Sequence, residues 1–205
     1  MSLYERYCLP HILNCACSMK DILRQRENIV PLASGRVLEV GMGSGLNIPY
    51  YDSKQVELVW GLEPSEGMRI KARKNIEKAT FDVELIDLPG EEIPLEDNSA
   101  DTVLLTFTLC TIPDWQKALE QMRRVLKPGG KLLFCEHGKA PDARIHQWQD
   151  RINPYWNKFA GGCNLNRPIP ELISNSGFDI EKIDSRYYPG PKVLNYFHNG
   201  IAKLS

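Results

Sequence analysis

Polar residues, glycines and prolines divide the chain into short apolar runs, and stretches with helical spacing lie between them. A short run of this kind, bounded by turn residues, is typical of a β-strand. Five such runs fall in the first two thirds of the chain and two fall near its end. The predicted strands are Arg36–Val40, Val56–Leu62, Asp82–Ile86, Asp101–Thr108, Lys131–Glu136, Phe178–Ile183 and Phe197–Leu204.

The stretches between these runs predict helices. Over residues 115–126 the apolar positions recur every three and four residues, as on one face of an amphipathic helix. A cation, a proline and two glycines in Lys127–Gly130 predict where this helix ends. The other predicted helices are Leu3–Leu13, Met19–Pro31, Met68–Ala79 and Pro170–Asn175.

The alternation of strands and helices predicts an α/β fold. We expect a Rossmann-like, seven-stranded, mostly parallel sheet with helices on both faces, in which the last strand is antiparallel. Ligands of such sheets bind at the carboxyl ends of the strands. We expect a single domain over 1–205, with a helical cap in 1–34, a cofactor-binding core in 35–138, a lid insertion in 139–168, and the final helix and strands in 169–205.

Composition narrows the function classes. A net charge of −1 gives no global electrostatic case for nucleic-acid binding. Six cysteines are present, but the only closely spaced pair is Cys15 and Cys17, so we expect packing cysteines and no metal site. Glu5, Arg6 and Pro10 stand where a signal peptide would be apolar, which favours a cytoplasmic location.

The first strand runs into the glycine-rich turn of "VLEVGMGSG". Its glycines are spaced G-x-G-x-G, and Leu46 occupies the sixth position, where a dinucleotide fingerprint needs a small residue. Glu39, just before the turn, suits a cationic amine and repels a pyrophosphate. Glu63 lies 22 positions after Gly41, at the end of the second strand, where an acid binds ribose hydroxyls. Together these features favour S-adenosylmethionine over NAD.

The motifs beyond this turn resemble those of the class I S-adenosylmethionine-dependent methyltransferases, over roughly Arg36 to Gly138. Within them, "PLEDNSAD" resembles the ubiquinone/menaquinone-biosynthesis C-methyltransferase branch. Three further segments resemble the animal methyltransferase-like enzymes that S-methylate alkyl thiols, and they extend the resemblance to about Arg167. These three segments are "TLCTI", "CEHG" and "GGCNLNR".

The resemblance implies cofactor roles residue by residue. It places four residues at the methionine end, one at the ribose, and two after the fourth strand, facing the reacting centre. The adenine contact stays open among three residues. Relatives carry an acid and a backbone amide donor just before the segment that reads "PLEDNS" here, but in this chain those positions are Pro89 and Gly90, and proline has no amide donor. The residues implied at the methionine end are Glu39, Gly41, Gly43 and Gly45, and the one implied at the ribose is Glu63. Thr106 and Leu109 are the two implied at the reacting centre, and the adenine candidates are Asp87, Gly90 and Glu91.

The acceptor side is less defined, because methyl transfer depends mainly on positioning. His137 ends the fifth strand and is the candidate general base, against a structural histidine at a strand end. Trp148, Ile152 and Trp156 belong to an aromatic stretch with helical spacing, interrupted by Pro154. This stretch is either a core stripe or the wall of a lid over the acceptor.

We therefore expect an S-adenosylmethionine-dependent methyltransferase of a small, apolar acceptor, with a thiol as first choice. Quinone carbon, phospholipid amine and a non-catalytic S-adenosylmethionine-binding protein are the alternatives. The animal relatives carry an N-terminal hydrophobic membrane anchor, which this sequence lacks, so we expect no integral anchor. A peripheral lipid contact and the oligomeric state stay open.

Overall fold

Strands and helices alternate along residues 9–205, which are the residues that the computed structural model describes. The strands are β1 (Gly35–Val40), β2 (Val56–Leu62), β3 (Asp82–Ile86), β4 (Ala100–Thr106), β5 (Leu126–His137), β6 (Phe178–Tyr187) and β7 (Tyr196–Leu204). The helices are α1 (Leu9–Cys17), α2 (Lys20–Ile29), α3 (Glu66–Ile76), α4 (Trp115–Val125), α5 (Ala143–Phe159) and α6 (Ile169–Asn175).

All seven strands form one sheet in the order β3-β2-β1-β4-β5-β7-β6. The pairs among β1 to β5 are parallel, whereas β7 is antiparallel to both β5 and β6. This confirms the predicted fold class. The chain turns from β3 back across the sheet to β4, so the direction of strand order reverses beside β1. In open α/β sheets a ligand binds outside the carboxyl ends of the strands at such a switch point.

Alternating residues of β1 supply two hydrophobic cores, one on each face of the sheet. Leu38 and Val40 belong to the core that contains α4 and α6, and Val37 belongs to the core that contains the end of α2. Both faces are therefore covered, as parallel strands require. The side chain of Glu39 shares its face with Val37 and is only 1% exposed, so a carboxyl group enters an otherwise apolar layer.

Several element bounds differ from the sequence-based prediction, and two of the differences have a clear local cause. The strand predicted to begin at Lys131 begins at Leu126, because Lys127–Gly130 continues directly from α4 into an irregular start of β5, with a shift of register against β4. The helix α5, which is 17 residues long, also continues through Pro154 and does not break there. Asp114 caps α4 as expected, accepting a hydrogen bond from the Lys117 N–H at 3.1 Å.

The described part of the N-terminal segment packs onto the glycine turn. The Ser44 hydroxyl in that turn donates to Asn14 Oδ1 of α1 at 2.5 Å, and α2 lies against β5 and β7. The start of the predicted helix Leu3–Leu13 lies outside the described residues. Across residues 9–205, none of the helices has both the length and the apolar character needed to cross a lipid bilayer.

Candidate cofactor and acceptor sites

The turn after β1 is built on three glycines with positive φ. Gly41, Gly43 and Gly45 have φ of +71°, +61° and +75°, which side chains with a Cβ rarely adopt. A Cβ on Gly41 would lie 2.3 Å from Cγ2 of Thr108, so the turn and the loop after β4 approach at van der Waals contact. At Gly43 the nearest atom to such a Cβ is Met68 Cε at 3.4 Å, an ordinary van der Waals contact, so the positive φ is what favours glycine at this position.

Glu39, just before this turn, accepts hydrogen bonds from two neutral donors. The Tyr51 hydroxyl donates to its Oε2 at 2.7 Å, and Asn47 Nδ2 donates to its Oε1 at 2.8 Å. Burial raises the pKa of Glu39 to about 7, although these two hydrogen bonds lower it. A buried carboxyl group with this pKa gains from any cation that arrives beside it.

A buried arginine supports the same network and was not identified from the sequence. Arg26 Nη1 of α2 donates to Asn47 Oδ1 at 2.6 Å and to Thr106 Oγ1 at 2.8 Å, and Asn47 Nδ2 also donates to Thr106 Oγ1 at 2.9 Å. The Thr106 hydroxyl is thus held inside the network. Arg26 is missed because an arginine in an amphipathic helix normally faces solvent, whereas this one is 5% exposed.

Glu63 closes the other side of the turn. Its Oε2 accepts the Gly43 N–H at 2.9 Å, and its Oε1 accepts the Ser65 N–H at 2.8 Å. The side chain is 8% exposed, and burial raises its pKa against the effect of the two N–H donors. Each carboxylate oxygen keeps a further lone pair, so the group can still accept hydrogen bonds from two vicinal hydroxyls.

The three candidates for the adenine contact lie after β3 in different environments. Asp87 is paired with Arg69, which also donates to the Glu63 carbonyl at 2.7 Å. Gly90 is buried, and a Cβ there would lie 3.1 Å from Val40 Cγ1. Glu91 Oε1 accepts the N–H of Asp114 at 3.2 Å. These contacts leave all three roles as predictions.

The loops expected to contact the acceptor lie where β4 and β5 end next to each other. The Glu136 carboxylate of β5 is fully buried and accepts the N–H groups of Thr108, Leu109 and Cys110 at 2.8, 3.0 and 3.4 Å. It therefore fixes the loop after β4. Leu109 is also fully buried and its side chain packs in the core beneath this loop, so its predicted role at the reacting centre stays untested.

His137 lies at the same edge with two cysteines. Its Nε2 is 3.1 Å from Cys163 Sγ, which also accepts the Trp156 Nε1–H at 3.2 Å. One ligand-type atom from each of Cys110, His137 and Cys163 lies within 4.8 Å of the others. Burial lowers the pKa of His137, but the neighbouring Cys163 and Glu136 raise it, and the net direction is upward. The spacing of the cysteines along the sequence did not predict this cluster.

The aromatic stretch of α5 is mostly exposed. Trp148, Tyr155 and Phe159 are 47%, 69% and 70% exposed, and they recur at positions that share one side of a helix. Among the α5 residues only Gln149 is buried. This exposure counts against the core-stripe interpretation, and the role of the segment as a lid stays a prediction.

Comparison with known proteins decides the class. Residues 38–134 match the methyltransferase domain family. Human thiol S-methyltransferase TMT1B is 34% identical over 174 residues, covering 79% of this chain and 70% of that protein. The chain belongs to the class I S-adenosylmethionine-dependent methyltransferases. It is an enzyme whose cofactor is S-adenosylmethionine, so the non-catalytic alternative is set aside.

Other relatives and solved structures cover different shares of the chain. A demethylmenaquinone methyltransferase of Listeria welshimeri is 39% identical over 99 residues, covering 48% of this chain and 41% of that protein. A solved methyltransferase of Thermotoga maritima superposes with a TM-score of 0.69 at 21% identity, covering 96% of this chain and 98% of that one. This methyltransferase spans 61–70% of the length of the human and rat thiol S-methyltransferases that it matches.

The residues present fit S-adenosylmethionine. Within residues 9–205, Glu39 and Glu63 form no ion pair with a basic side chain, and their hydrogen-bond donors are neutral. Two buried carboxyl groups of this kind favour a cationic ligand and disfavour a pyrophosphate. Glu39 is the residue that would hold the amine of the cofactor, and Glu63 the one that would hold the ribose.

Proposed function

We propose that this methyltransferase transfers the methyl group of S-adenosylmethionine to the sulfur of a small, apolar thiol. The observation that carries the proposal is the extent of the likeness to the human thiol S-methyltransferase, which covers 79% of this chain. That span reaches beyond residues 38–134, the part that matches the general methyltransferase domain. The likeness therefore extends beyond the general methyltransferase domain, which supports the proposal.

The chemistry requires positioning above all. S-adenosylmethionine supplies an activated methyl group whose leaving group is a neutral thioether. Orientation of the reactants contributes about 7–11 kcal/mol to such a step, whereas a general base contributes about 3–5 kcal/mol. The loop fixed by Glu136 and the exposed aromatic side of α5 are the elements suited to hold an apolar acceptor at the strand ends.

His137 as general base stays a prediction. Its ring is at the right edge of the sheet, but Nε2 already contacts Cys163 at 3.1 Å. A proton from the acceptor would have to reach this atom beside the Cys163 sulfur. The residue therefore acts in direct contact with a protein thiol, whatever its role in the reaction.

Methylation of a quinone carbon is the second candidate. It is favoured by the 39% identity with the demethylmenaquinone methyltransferase of Listeria welshimeri. That match covers 48% of this chain, a length comparable to the methyltransferase domain itself, so it says less about the acceptor. A phospholipid amine is a further alternative acceptor.

A product assay distinguishes these acceptors. The purified chain is incubated with S-adenosylmethionine and, separately, with an alkyl thiol, a demethylated quinol and an amino-lipid in vesicles, and the methylated products are measured by mass spectrometry. We expect thioether formation from the thiol and no product from the amino-lipid. Methylation of the quinol without any thioether would move the assignment to the quinone class.

A further inference from the structure

Three potential metal ligands from distant segments meet beside the ends of β4 and β5. Cys110 follows β4, His137 ends β5, and Cys163 follows α5. Their ligand atoms lie within 4.8 Å of one another. Each is carried by one of the three segments, "TLCTI", "CEHG" and "GGCNLNR", that resemble the thiol-methylating enzymes. The cluster thus lies on the part of the chain that the proposed function assigns to the acceptor.

Hydrogen bonds lock the two cysteine loops together. The Cys110 N–H donates to Glu136 Oε2 at 3.4 Å, and the Cys110 carbonyl accepts both the backbone N–H and the Nδ2 of Asn164 at 2.9 and 3.0 Å. Asn164 directly follows Cys163. These contacts fix the backbones of the two loops relative to each other and so keep the two cysteines close in space, as a preorganised ligand set requires.

The Cys163 sulfur accepts a hydrogen bond from a residue that is not itself a potential ligand. Trp156 Nε1–H donates to it at 3.2 Å from outside the cluster, while His137 Nε2 lies 3.1 Å away on the inside. An N–H donor behind a ligating atom is the usual outer contact that orients a metal ligand. Cys110 is 1% exposed and Cys163 is 9% exposed, so solvent has little access to either sulfur.

We propose that Cys110, His137 and Cys163 bind a zinc ion whose fourth coordination position accepts the sulfur of the acceptor thiol. Three protein ligands of the Cys, His and Cys type with one open position are the pattern of catalytic zinc sites. Tetrahedral zinc with its usual bond lengths needs about 3.5–3.8 Å between ligand atoms, so each side chain moves by less than about 1 Å.

The charges of the site are compatible with this ion. Two thiolates balance one Zn²⁺, and the acceptor thiolate adds a single negative charge. The Arg167 cation faces Cys110 and Cys163 as well as the carboxylates of Glu136 and Glu91, and its Nη1 is held by the carbonyl of Ile112 at 2.7 Å. A fixed guanidinium next to the cluster offsets the added negative charge, which would otherwise be costly to bury.

This inference rests on the proposed function and assigns His137 the role of a ligand in place of a base. Zinc lowers the pKa of a bound thiol, so the acceptor binds as a thiolate and its proton leaves to solvent. A sulfur lone pair then forms the new S–CH₃ bond as the methyl–sulfonium bond breaks, and its electrons stay on the neutral thioether that leaves. The methylated product is a neutral thioether, a weaker zinc ligand than a thiolate, and dissociates.

The first test measures the metal without activity. Chain purified without chelator is expected to retain about one zinc per chain by elemental mass spectrometry. Replacement by Co²⁺ is expected to give thiolate-to-metal charge-transfer absorption and the intense visible bands of a tetrahedral site. Adding butanethiol should shift the visible bands, whereas butanol should leave them unchanged. The inference would be overturned if the wild-type chain bound neither zinc nor cobalt. It would also be overturned if the visible bands of the cobalt form did not change when butanethiol was added.

Variants assign the ligands. Cys110→Ser and Cys163→Ser are each expected to weaken the charge-transfer band, because each removes one of the two thiolate ligands. Trp156→Phe should weaken zinc affinity by about 10–100-fold while an aromatic ring stays in place. The exposed cysteine Cys15 provides the matched control, since Cys15→Ser should retain the metal. Equal metal content in all four variants would refute the assignment even where a variant is less stable.

Measurements of methyltransferase activity with and without zinc distinguish failure of the zinc site from failure of the proposed function. Zinc removal by a chelator should slow thiol methylation strongly, and zinc addition should restore it. Metal-free chain that methylates thiols at the full rate refutes the zinc site and leaves the proposed function intact. Zinc-loaded chain that methylates a quinol and no thiol refutes both the proposed function and the role of the metal in acceptor binding.

Discussion

Glu39 is expected to make cofactor binding depend on pH near neutrality. Burial raises the pKa of its carboxyl group to about 7, so the cofactor-free protein holds it about half protonated at pH 7. The cationic amine of S-adenosylmethionine favours the carboxylate, and binding therefore lowers this pKa. The association constant should rise about tenfold per pH unit as pH approaches 7 from below, and this dependence should end above it.

Calorimetry measures the proton directly. Titrations at pH 7 in buffers of different ionisation enthalpy should show release of about half a proton from Glu39. The amine of the cofactor, with a pKa of about 7.7–8.0, takes up a smaller fraction of a proton in the opposite direction. Glu39→Gln keeps that uptake and loses the release, so it is the matched control. Identical proton release and identical pH slopes in both proteins would refute the placement of Glu39 at the amine.

The same titration should appear in the stability of the cofactor-free protein. The folded pKa of about 7 lies above the ordinary value of 4.5, so between these values the folded state binds more protons than the unfolded state. The free energy of unfolding must therefore fall as pH rises through this window, by about 3 kcal/mol at about 1.4 kcal/mol per unit. Denaturant unfolding at both ends of the window should show this loss in the wild type and not in Glu39→Gln.

Two further variants test the ribose contact and the aromatic side chains of α5. Glu63→Gln should weaken S-adenosylmethionine binding at least about tenfold, since hydrogen bonds to a charged group are worth about 1.5–3 kcal/mol; unchanged affinity by calorimetry would remove the ribose assignment. Truncating the exposed aromatics Tyr155 and Phe159 to Ala should raise the acceptor KM and leave cofactor binding unchanged. Their melting should change little, because truncation of exposed side chains costs about 0.5 kcal/mol or less, and Ile183→Ala on the sheet edge is the control. A large fall in melting temperature with a normal KM would refute the lid role.

The cofactor half of this enzyme could be predicted because its determinants are local. A strand, a glycine turn and an acid at the end of the next strand follow within 25 residues, from Glu39 to Glu63, and their geometry follows from the strand–turn–helix unit alone. The sequence-based prediction missed two side chains that complete the hydrogen-bond network around this strand–turn–helix unit. Arg26 arrives from the N-terminal helix, and Asn47 has no distinctive spacing, although both complete the network around Glu39.

The acceptor half could not be predicted in the same way, because its residues meet only through the tertiary fold. Cys110, His137 and Cys163 follow one another at intervals of 27 and 26 positions along the chain, and each alone is more typical of packing or of a strand end than of a ligand. Sequence patterns for metal sites rely on pairs of Cys or His residues a few positions apart, and no two residues of this cluster form such a pair. The parallel order of β4 and β5 places the first two side by side, and the return of the chain through α5 adds the third. A search for functional clusters in such sheets therefore has to compare the residues that follow adjacent strands, rather than residues that are neighbours in the sequence.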